Sequence, residues 1–182
     1  MASSSDASRH QDPLRRLESL VARLRDPDQG CPWDLEQTHQ SLTPYVLEEA
    51  HEVADAIRHG DDEHLREELG DLLLQVVLHA RIAGERSRFD LNDVATGISE
   101  KLIRRHPHVF AGAKVSDSTA VRVSWEAIKA SERAEARGST SSASPLSDQL
   151  ADKVRGQPAL AGAMTISRKA AQAGFEWDAI DG

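Results

Sequence analysis

The chain has a single cysteine, Cys31, so no disulfide can form within it, and a reducing, cytoplasmic compartment is expected. It lacks the run of roughly 20 apolar residues that a membrane-spanning helix needs. Its basic residues are scattered rather than gathered in a stripe, and the formal net charge of −8 argues against binding to nucleic acid. These exclusions indicate a soluble protein, and its 182 residues are enough for one domain with tails.

Strand-like alternation of apolar and polar residues is almost absent, whereas apolar residues recur at helical spacing along most of the chain. The pattern predicts an all-α fold, a helical bundle. Capping residues, glycines and prolines bound the long helices at about residues 13–25, 44–59, 62–83, 91–105 and 118–137. Residues 26–44 contain three prolines and a glycine, which indicates a loop with at most a short turn of helix.

Composition also predicts how the chain is organised. Residues 1–11 are polar and are expected to form a disordered N-terminal tail. One helical domain is expected over residues 12–137. Residues 138–148, GSTSSASPLSD, have the composition of a flexible linker, and residues 149–182 should form a short helical C-terminal tail.

Two of the predicted helices carry acid pairs at one spacing. Glu49 and Glu52 lie three residues apart, as do Glu68 and Asp71, so each helix offers two carboxylates about one turn apart. The short connection between these helices favours an antiparallel pair, in which all four carboxylates can converge. A cluster of this kind is tolerable when a hard divalent cation neutralises it, and Mg²⁺ or Mn²⁺ fits the oxygen ligands best.

Other interpretations of the acids stay open. Glutamate prefers the surface, so the acids of the first of these helices, taken alone, suit a solvated face. That interpretation is harder to apply to the second helix, because ELGDLLLQVVLHA is apolar around most of its circumference. Two Glu-x-x-His matches, Glu48 with His51 and Glu36 with His39, are typical of di-iron bundles, although Glu36 lies in the proline-bounded loop. A zinc motif of the H-E-x-x-H type is incomplete, because its second histidine is missing.

Basic residues continue the predicted inward face of the helix over residues 91–105. Val94, Ile98 and Leu102 define that face, and Lys101 and Arg105 fall on or beside it, one turn apart. Each basic side chain could equally cover apolar surface with its stem while its charged head stays in water. Together, cations beside a metal cluster suit the phosphate chain of a nucleotide.

An aromatic plane and a further ammonium lie on one face of the predicted last long helix. Trp125 and Lys129 are one turn apart there, with Val121 and Ile128 on the same face. An indole beside cations can pack against a flat base, so these residues are candidates for nucleotide binding.

The acid motifs resemble a known signature. EEAHE, followed after fifteen residues by ELGD, matches the E-E-x-x-E … E-x-x-D pattern of the all-α nucleoside triphosphate pyrophosphohydrolases. With CPWDLEQTHQSLTPYVLEEAHEV, EKLIRRHPHVF and SWEAIK, the sequence is similar to the MazG branch over residues 14–132. The resemblance implies Mg²⁺-dependent cleavage of (d)NTP to (d)NMP and pyrophosphate, and a role in house-cleaning of the nucleotide pool. The metal ligands that it implies are Glu49, Glu52, Glu68 and Asp71, and the nucleotide contacts are Lys101, Arg105, Trp125 and Lys129.

The expected mechanism is metal-assisted hydrolysis. Glu48, next to the ligand set, or one of the ligands would orient or deprotonate the attacking water. The basic residues would offset charge on the leaving pyrophosphate, while Trp125 packs near the base or ribose. A catalytically silent helical module that binds a nucleotide or a protein partner is the alternative function.

Two features differ from the family pattern. Some family sites have a lysine four residues before the first acid of E-x-x-D, where this chain has His64. The last segment, PALAGAMTISRKAAQAGFEWDAIDG, resembles the end of the linker between two catalytic domains in longer members, so the chain is either a natural single-domain form or a truncated one. Family members usually dimerise, and one chain has few long helices with which to cover its apolar helix, so a homodimer is expected.

Overall fold

The computed structural model describes residues 12–114, 116–137 and 159–172, with positions 150, 154, 155 and 174. In this part of the chain the regular elements are all helices, which confirms the all-α prediction. The predicted tail 1–11 and linker 138–148 lie outside the described residues. The helices are α1 (Pro13–Leu24), α2 (Pro32–Glu36), α3 (Thr43–His59), α4 (Asp62–Gly84), α5 (Leu91–Arg105), α6 (Pro107–Phe110), α7 (Ser118–Arg137) and α8 (Ala159–Gln172).

The described residues divide into two compact units, one before and one after position 115. The first unit contains α1 to α6, and the second contains α7 and α8. This division falls inside the segment 12–137, whose boundaries as one catalytic domain stay a prediction. No helix among the described residues has both the length and the apolar character needed to cross a lipid bilayer.

Local signals explain where the helices of the first unit begin and end. The side chain of Asp61 accepts hydrogen bonds from the backbone N–H groups of Glu63 and His64, which caps the start of α4. Gly60 ends α3 with a φ of 71°, a left-handed conformation that glycine adopts without strain. Asp90 and Asp93 form a reciprocal capping box at the start of α5.

The longest helix, α4, packs against α3, α1 and α5. Only two residues separate α3 from α4, so these helices form a hairpin. The hydrophobic core of this unit lies mainly along the second half of α4. Its buried members are Val21, Leu42, Val77, Leu78 and Ile82.

The orientation of α3 is not the one that its apolar residues predict. Helical spacing puts Val46, Ala50, Val53 and Ile57 on one stripe, which would be expected to face the core, but Ile57 is 60% exposed and Ala56 is fully buried. Glu49 lies seven residues before Ala56, on the same side of the helix. The acid face of α3, rather than its most apolar stripe, is therefore turned toward α4.

Two apolar faces of the first unit are not covered by the residues that the structure describes. On α4, Leu69, Leu73 and Val76 are 49%, 41% and 39% exposed; we call them the open face of α4. On α5, the predicted inward stripe of Val94, Ile98 and Leu102 is exposed as well, and no residue of that helix is buried. The prediction that this stripe points into a core is wrong for the chain by itself.

Candidate active site

The α3–α4 hairpin brings three of the predicted acids together. Glu49 of α3 and Glu68 and Asp71 of α4 each place one carboxylate oxygen within 4.8 Å of the others. Glu68 is only 8% exposed, Glu49 is half-buried and Asp71 is exposed, so the group runs from the helix interface to solvent. An ion could enter from the side of Asp71.

The fourth predicted ligand, Glu52, lies beside this group. Its carboxylate is close enough to raise the pKa values of Glu49 and Glu68 by repulsion, although it is outside the closest set of three. Glu48, the candidate for handling the attacking water, is exposed on α3 next to Glu49. The four carboxylates of the predicted set therefore lie in one neighbourhood.

The crowding of negative charge changes the protonation of the acids. Burial raises the pKa of Glu49, and repulsion by Asp71, Glu52 and Glu68 raises it further. Burial also raises the pKa of Glu68, and Glu52 adds to that effect. A bound divalent cation would favour the ionised forms, and so relieve the electrostatic cost that the cluster has without one.

The donor set has the chemistry of a site for a hard cation. All of its ligand atoms are carboxylate oxygens, which suit Mg²⁺, Mn²⁺ or Ca²⁺ rather than the softer metals that prefer sulfur or imidazole. The di-iron interpretation gains no support, because His39 contacts His79 instead of an acid cluster. Among the described residues, the only group of three or more such ligands is that of Glu49, Glu68 and Asp71.

His64 occupies the position where some family sites have lysine. Its Nδ1 atom lies 3.3 Å from Oε1 of Glu68, one turn away on α4. A protonated His64 would lower the pKa of Glu68, in opposition to the effect of burial. The contact places a titratable cation at the edge of the acid cluster.

The candidate nucleotide contacts lie on two other helices. Lys101 is exposed and Arg105 half-buried on α5, one turn apart. On α7, Nζ of Lys129 lies 5.1 Å from the centroid of the Trp125 ring and 2.9 Å from Oε1 of Glu126. Trp125 and Lys129 thus form a cation–π pair within the second unit, and they share one face of α7 as their spacing predicts.

Gln75 is a feature of the site helix that the sequence pattern did not single out. It lies one turn after Asp71 on α4, it is 8% exposed, and its Oε1 atom accepts no hydrogen bond from the described residues. A buried polar atom without a hydrogen-bond partner destabilises the folded state and is rare in proteins. The signal in the sequence is a single polar residue inside the apolar run LLLQVVL.

Comparison with known proteins identifies relatives of this chain. A family profile described as the MazG nucleotide pyrophosphohydrolase domain matches residues 37–110. A nucleoside triphosphate pyrophosphohydrolase of Escherichia coli strain K12 is 47% identical over 167 residues, which are 92% of this chain and 60% of the relative. A nucleoside triphosphate pyrophosphohydrolase/pyrophosphatase MazG of Thermotoga maritima is 44% identical over 171 residues, 93% of this chain and 61% of the relative.

A solved structure is similar as well. The crystal structure of a mazG-related protein from Thermotoga maritima matches with a TM-score of 0.53 and 30% sequence identity. The match covers 64% of this chain and 98% of that one. The chain spans about three fifths of the length of the first two relatives, 60% and 61%.

Proposed function

Because this chain belongs to the MazG nucleotide pyrophosphohydrolase family, we propose that it cleaves nucleoside triphosphates between the α- and β-phosphates, to a monophosphate and pyrophosphate. The observation that carries the proposal is the convergence of Glu49, Glu68 and Asp71 from two helices. The names of the relatives support the substrate class. A role in clearing unwanted nucleotides from the cellular pool follows from the family resemblance.

The carboxylates would hold the metal ion that this reaction needs, Mg²⁺ or, as a substitute, Mn²⁺. When bound, the ion supplies positive charge to phosphate oxygens and makes water more acidic. The candidate ligands are Glu49, Glu52, Glu68 and Asp71. The exposed side of the cluster, at Asp71 and Glu52, leaves room for phosphate oxygens to approach.

The remaining residues would bind substrate and move a proton. Glu48, which is exposed next to Glu49, would orient the attacking water or accept its proton. Lys101 and Arg105 would neutralise charge that develops on the leaving pyrophosphate. Trp125, held in a cation–π contact with Lys129, would pack against the base or ribose, and Lys129 would also face phosphate.

We further propose that the working form is a homodimer. The open face of α4 lies on the same helix as Glu68 and Asp71, on another side of it. A second copy of the chain would cover this apolar face. Neither nucleic acid nor a membrane is expected as a partner, and the cytoplasmic location stays a prediction from the single cysteine.

The test is an assay of the purified chain with a mixture of nucleoside triphosphates and Mg²⁺, followed by separation of monophosphate and pyrophosphate. Excess chelator should abolish cleavage, and Mg²⁺ or Mn²⁺ should restore it, whereas Ca²⁺ should do so poorly. Full turnover in chelator would disprove the metal-dependent mechanism. Nucleotide binding without cleavage would instead indicate the catalytically silent module.

Substitution of single acids tests the ligand set. Glu68→Gln should lower turnover by about 100-fold or more, because an amide cannot replace the charge of a ligand carboxylate. Glu63→Gln is the matched control on the same helix, since the Glu63 side chain is 81% exposed and pairs with Arg66 at the surface. Near-normal turnover of Glu68→Gln would remove Glu68 from the ligand set.

A further inference from the structure

A pair of histidines lies away from the acid cluster, between the segment before α3 and the second half of α4. Nδ1 of His39 is 2.8 Å from Nδ1 of His79, and the two rings are nearly parallel, with 8° between their planes. Nη2 of Arg88, from the segment between α4 and α5, lies 2.8 Å from Nε2 of His39. The three side chains thus form a continuous hydrogen-bonded chain.

The direction of every hydrogen bond in this chain follows from Arg88. A guanidinium only donates, so Nε2 of His39 must be the unprotonated acceptor. A neutral His39 then carries its proton on Nδ1 and donates it to Nδ1 of His79. His79 in turn must hold its own proton on Nε2. One arginine therefore fixes the tautomers of both imidazoles.

We propose that Arg88, His39 and His79 form a directed hydrogen-bond latch that fastens the start of α3 to α4 and opens when either histidine becomes protonated. Protonation of His39 would add an N–H at Nε2, where it faces the donor of Arg88. Protonation of His79 would add an N–H at Nδ1, where it faces the donor of His39. Either event places two donors against each other and breaks a link of the latch.

The latch is placed to control the position of α3. The hydroxyl of Thr43, the first residue of α3, donates to the backbone oxygen of His39, and Leu42 between them is buried in the core at 1% exposed. The hairpin is closed by its short connection at Gly60 and by the latch near the other end of α3. The acid of α3, Glu49, lies between these two attachments.

Charges around the histidines favour their neutral forms. Burial lowers the pKa of His39, and three cations from the surrounding segments, Arg88, Arg86 and Arg25, lower it further. Arg25, at the end of α1, is itself paired with Glu85 after α4. Burial lowers the pKa of His79, and so does His39.

The sign of the pH effect follows from these shifts. A histidine with a depressed pKa binds fewer protons in the folded state than in the unfolded state. The stability that it contributes is complete above about pH 6.5, the ordinary pKa of histidine, and falls as the pH drops below that value toward the folded pKa. Mild acid should therefore release the start of α3 from α4.

Imidazole ¹⁵N NMR on the wild-type chain tests the direction of the latch. Near neutral pH, His39 should show the tautomer with hydrogen on Nδ1, and His79 the tautomer with hydrogen on Nε2. The resonances can be assigned by their loss in His39→Asn and His79→Asn. A spectrum in which His39 carries its proton on Nε2 would overturn the proposal.

Thermal unfolding tests the release in acid. Between about pH 8 and pH 5.5, the Tm difference between wild type and His79→Asn should change by about 3 °C or more, because Asn keeps an acceptor but does not titrate. His59→Asn is the matched control, since the His59 side chain is 70% exposed on α3. The acid cluster is common to all three proteins, so its own titration cancels in the comparison. Equal acid sensitivity of wild type and His79→Asn would overturn the proposal. If His79→Asn does not fold, the tautomer of His39, assigned with His39→Asn, still tests it.

Discussion

Glu68 shows how the state of one side chain depends on its neighbours. It is 8% exposed on an apolar helix, it faces other carboxylates, and only His64 opposes their effect. Without a cation, the ionised form is therefore disfavoured by burial and by repulsion. If Glu68 is a metal ligand, as proposed, a metal ion and a proton compete for the same carboxylate.

The first prediction concerns stability in the absence of metal. A carboxyl group with a raised pKa contributes stability below about pH 4.5, its ordinary unfolded value, and this contribution is lost as the pH rises through the folded pKa. In excess chelator near pH 8, Glu68→Gln should therefore have a higher Tm than wild type, and the difference should shrink toward pH 4.5. Differential scanning calorimetry measures both, with Glu63→Gln as the control. A lower Tm for Glu68→Gln near pH 8 would contradict the expected repulsion.

The second prediction separates phosphate contacts from ordinary surface cations. Lys101→Met and Arg105→Met should retain the fold, since methionine keeps much of the apolar stem. Each should lose about tenfold or more in kcat/KM, because a charge-assisted contact to phosphate contributes roughly 1.5 to 3 kcal/mol. The effect appears in KM if the contact is uniform and in kcat if it forms mainly in the transition state.

Steady-state kinetics with one triphosphate at saturating Mg²⁺ measures both constants. Arg66→Met is the control, because it removes the same charge from a side chain that is 75% exposed on another helix, α4. If Lys101→Met and Arg105→Met both stay within about twofold of wild type, these side chains only cover apolar surface.

The sequence predicts the contacts of some residues and not those of others. Glu49, Glu68 and Asp71 could be placed because helical spacing is local and the connection between α3 and α4 is short. The pair of His39 and His79 joins residues 40 positions apart through a loop, and no local periodicity encodes such a contact. The roles of Glu49, Glu68 and Asp71 in catalysis and metal binding stay predictions.

At the scale of the elements, capping residues made the helix ends predictable. Asp12, Asp61 and Asp90 cap α1, α4 and α5 with their side chains. The orientation of α3 was not predictable from its own hydrophobicity, because Glu49 faces α4 while Ile57 is exposed. The proposed metal site explains this orientation of α3, because it requires the acids to lie at the interface of the two helices.

The third prediction concerns how the elements are joined. Arg25, 6% exposed at the end of α1, donates to both oxygens of Glu85 at 2.9 and 2.8 Å and to the backbone oxygens of Asp34 and Gln37. It therefore ties α1 to the loop around α2 and to the end of α4. Arg25→Met should lower the free energy of unfolding by about 3 kcal/mol, because it breaks the ion pair with Glu85 and removes the donor to the buried backbone oxygen of Asp34.

Urea unfolding followed by circular dichroism measures this loss. Arg66→Met is the matched control, since Arg66 and its partner Glu63 are 75% and 81% exposed. Removing a surface pair of this kind should cost about 0.5 kcal/mol or less. If Arg25→Met falls within that range too, Arg25 does not hold these elements together.

At the scale of the whole molecule, an apolar face of α4 that helical periodicity predicts to be buried is exposed among the described residues. The open face of α4, formed by Leu69, Leu73 and Val76, lies on the same helix as the acid cluster. Helical periodicity predicts that such a face is buried, but it does not say whether the cover comes from the same chain or from another. The sequence therefore predicted the all-α class and most helix bounds, but only the structure shows that this face is exposed.

The last prediction tests whether a second copy covers the open face. Leu73→Arg places a guanidinium at the centre of that face, and burying it without a partner should cost about 3 kcal/mol or more, which is about 100-fold in the Kd of a dimer. Glu67→Arg is the control, because it puts the same charge on the opposite side of α4. Sedimentation equilibrium should show a dimer for wild type and Glu67→Arg, and a monomer for Leu73→Arg at the same concentration. If wild type is a monomer, or if Leu73→Arg remains a dimer, the open face does not join two copies, and some other partner or segment would have to cover it.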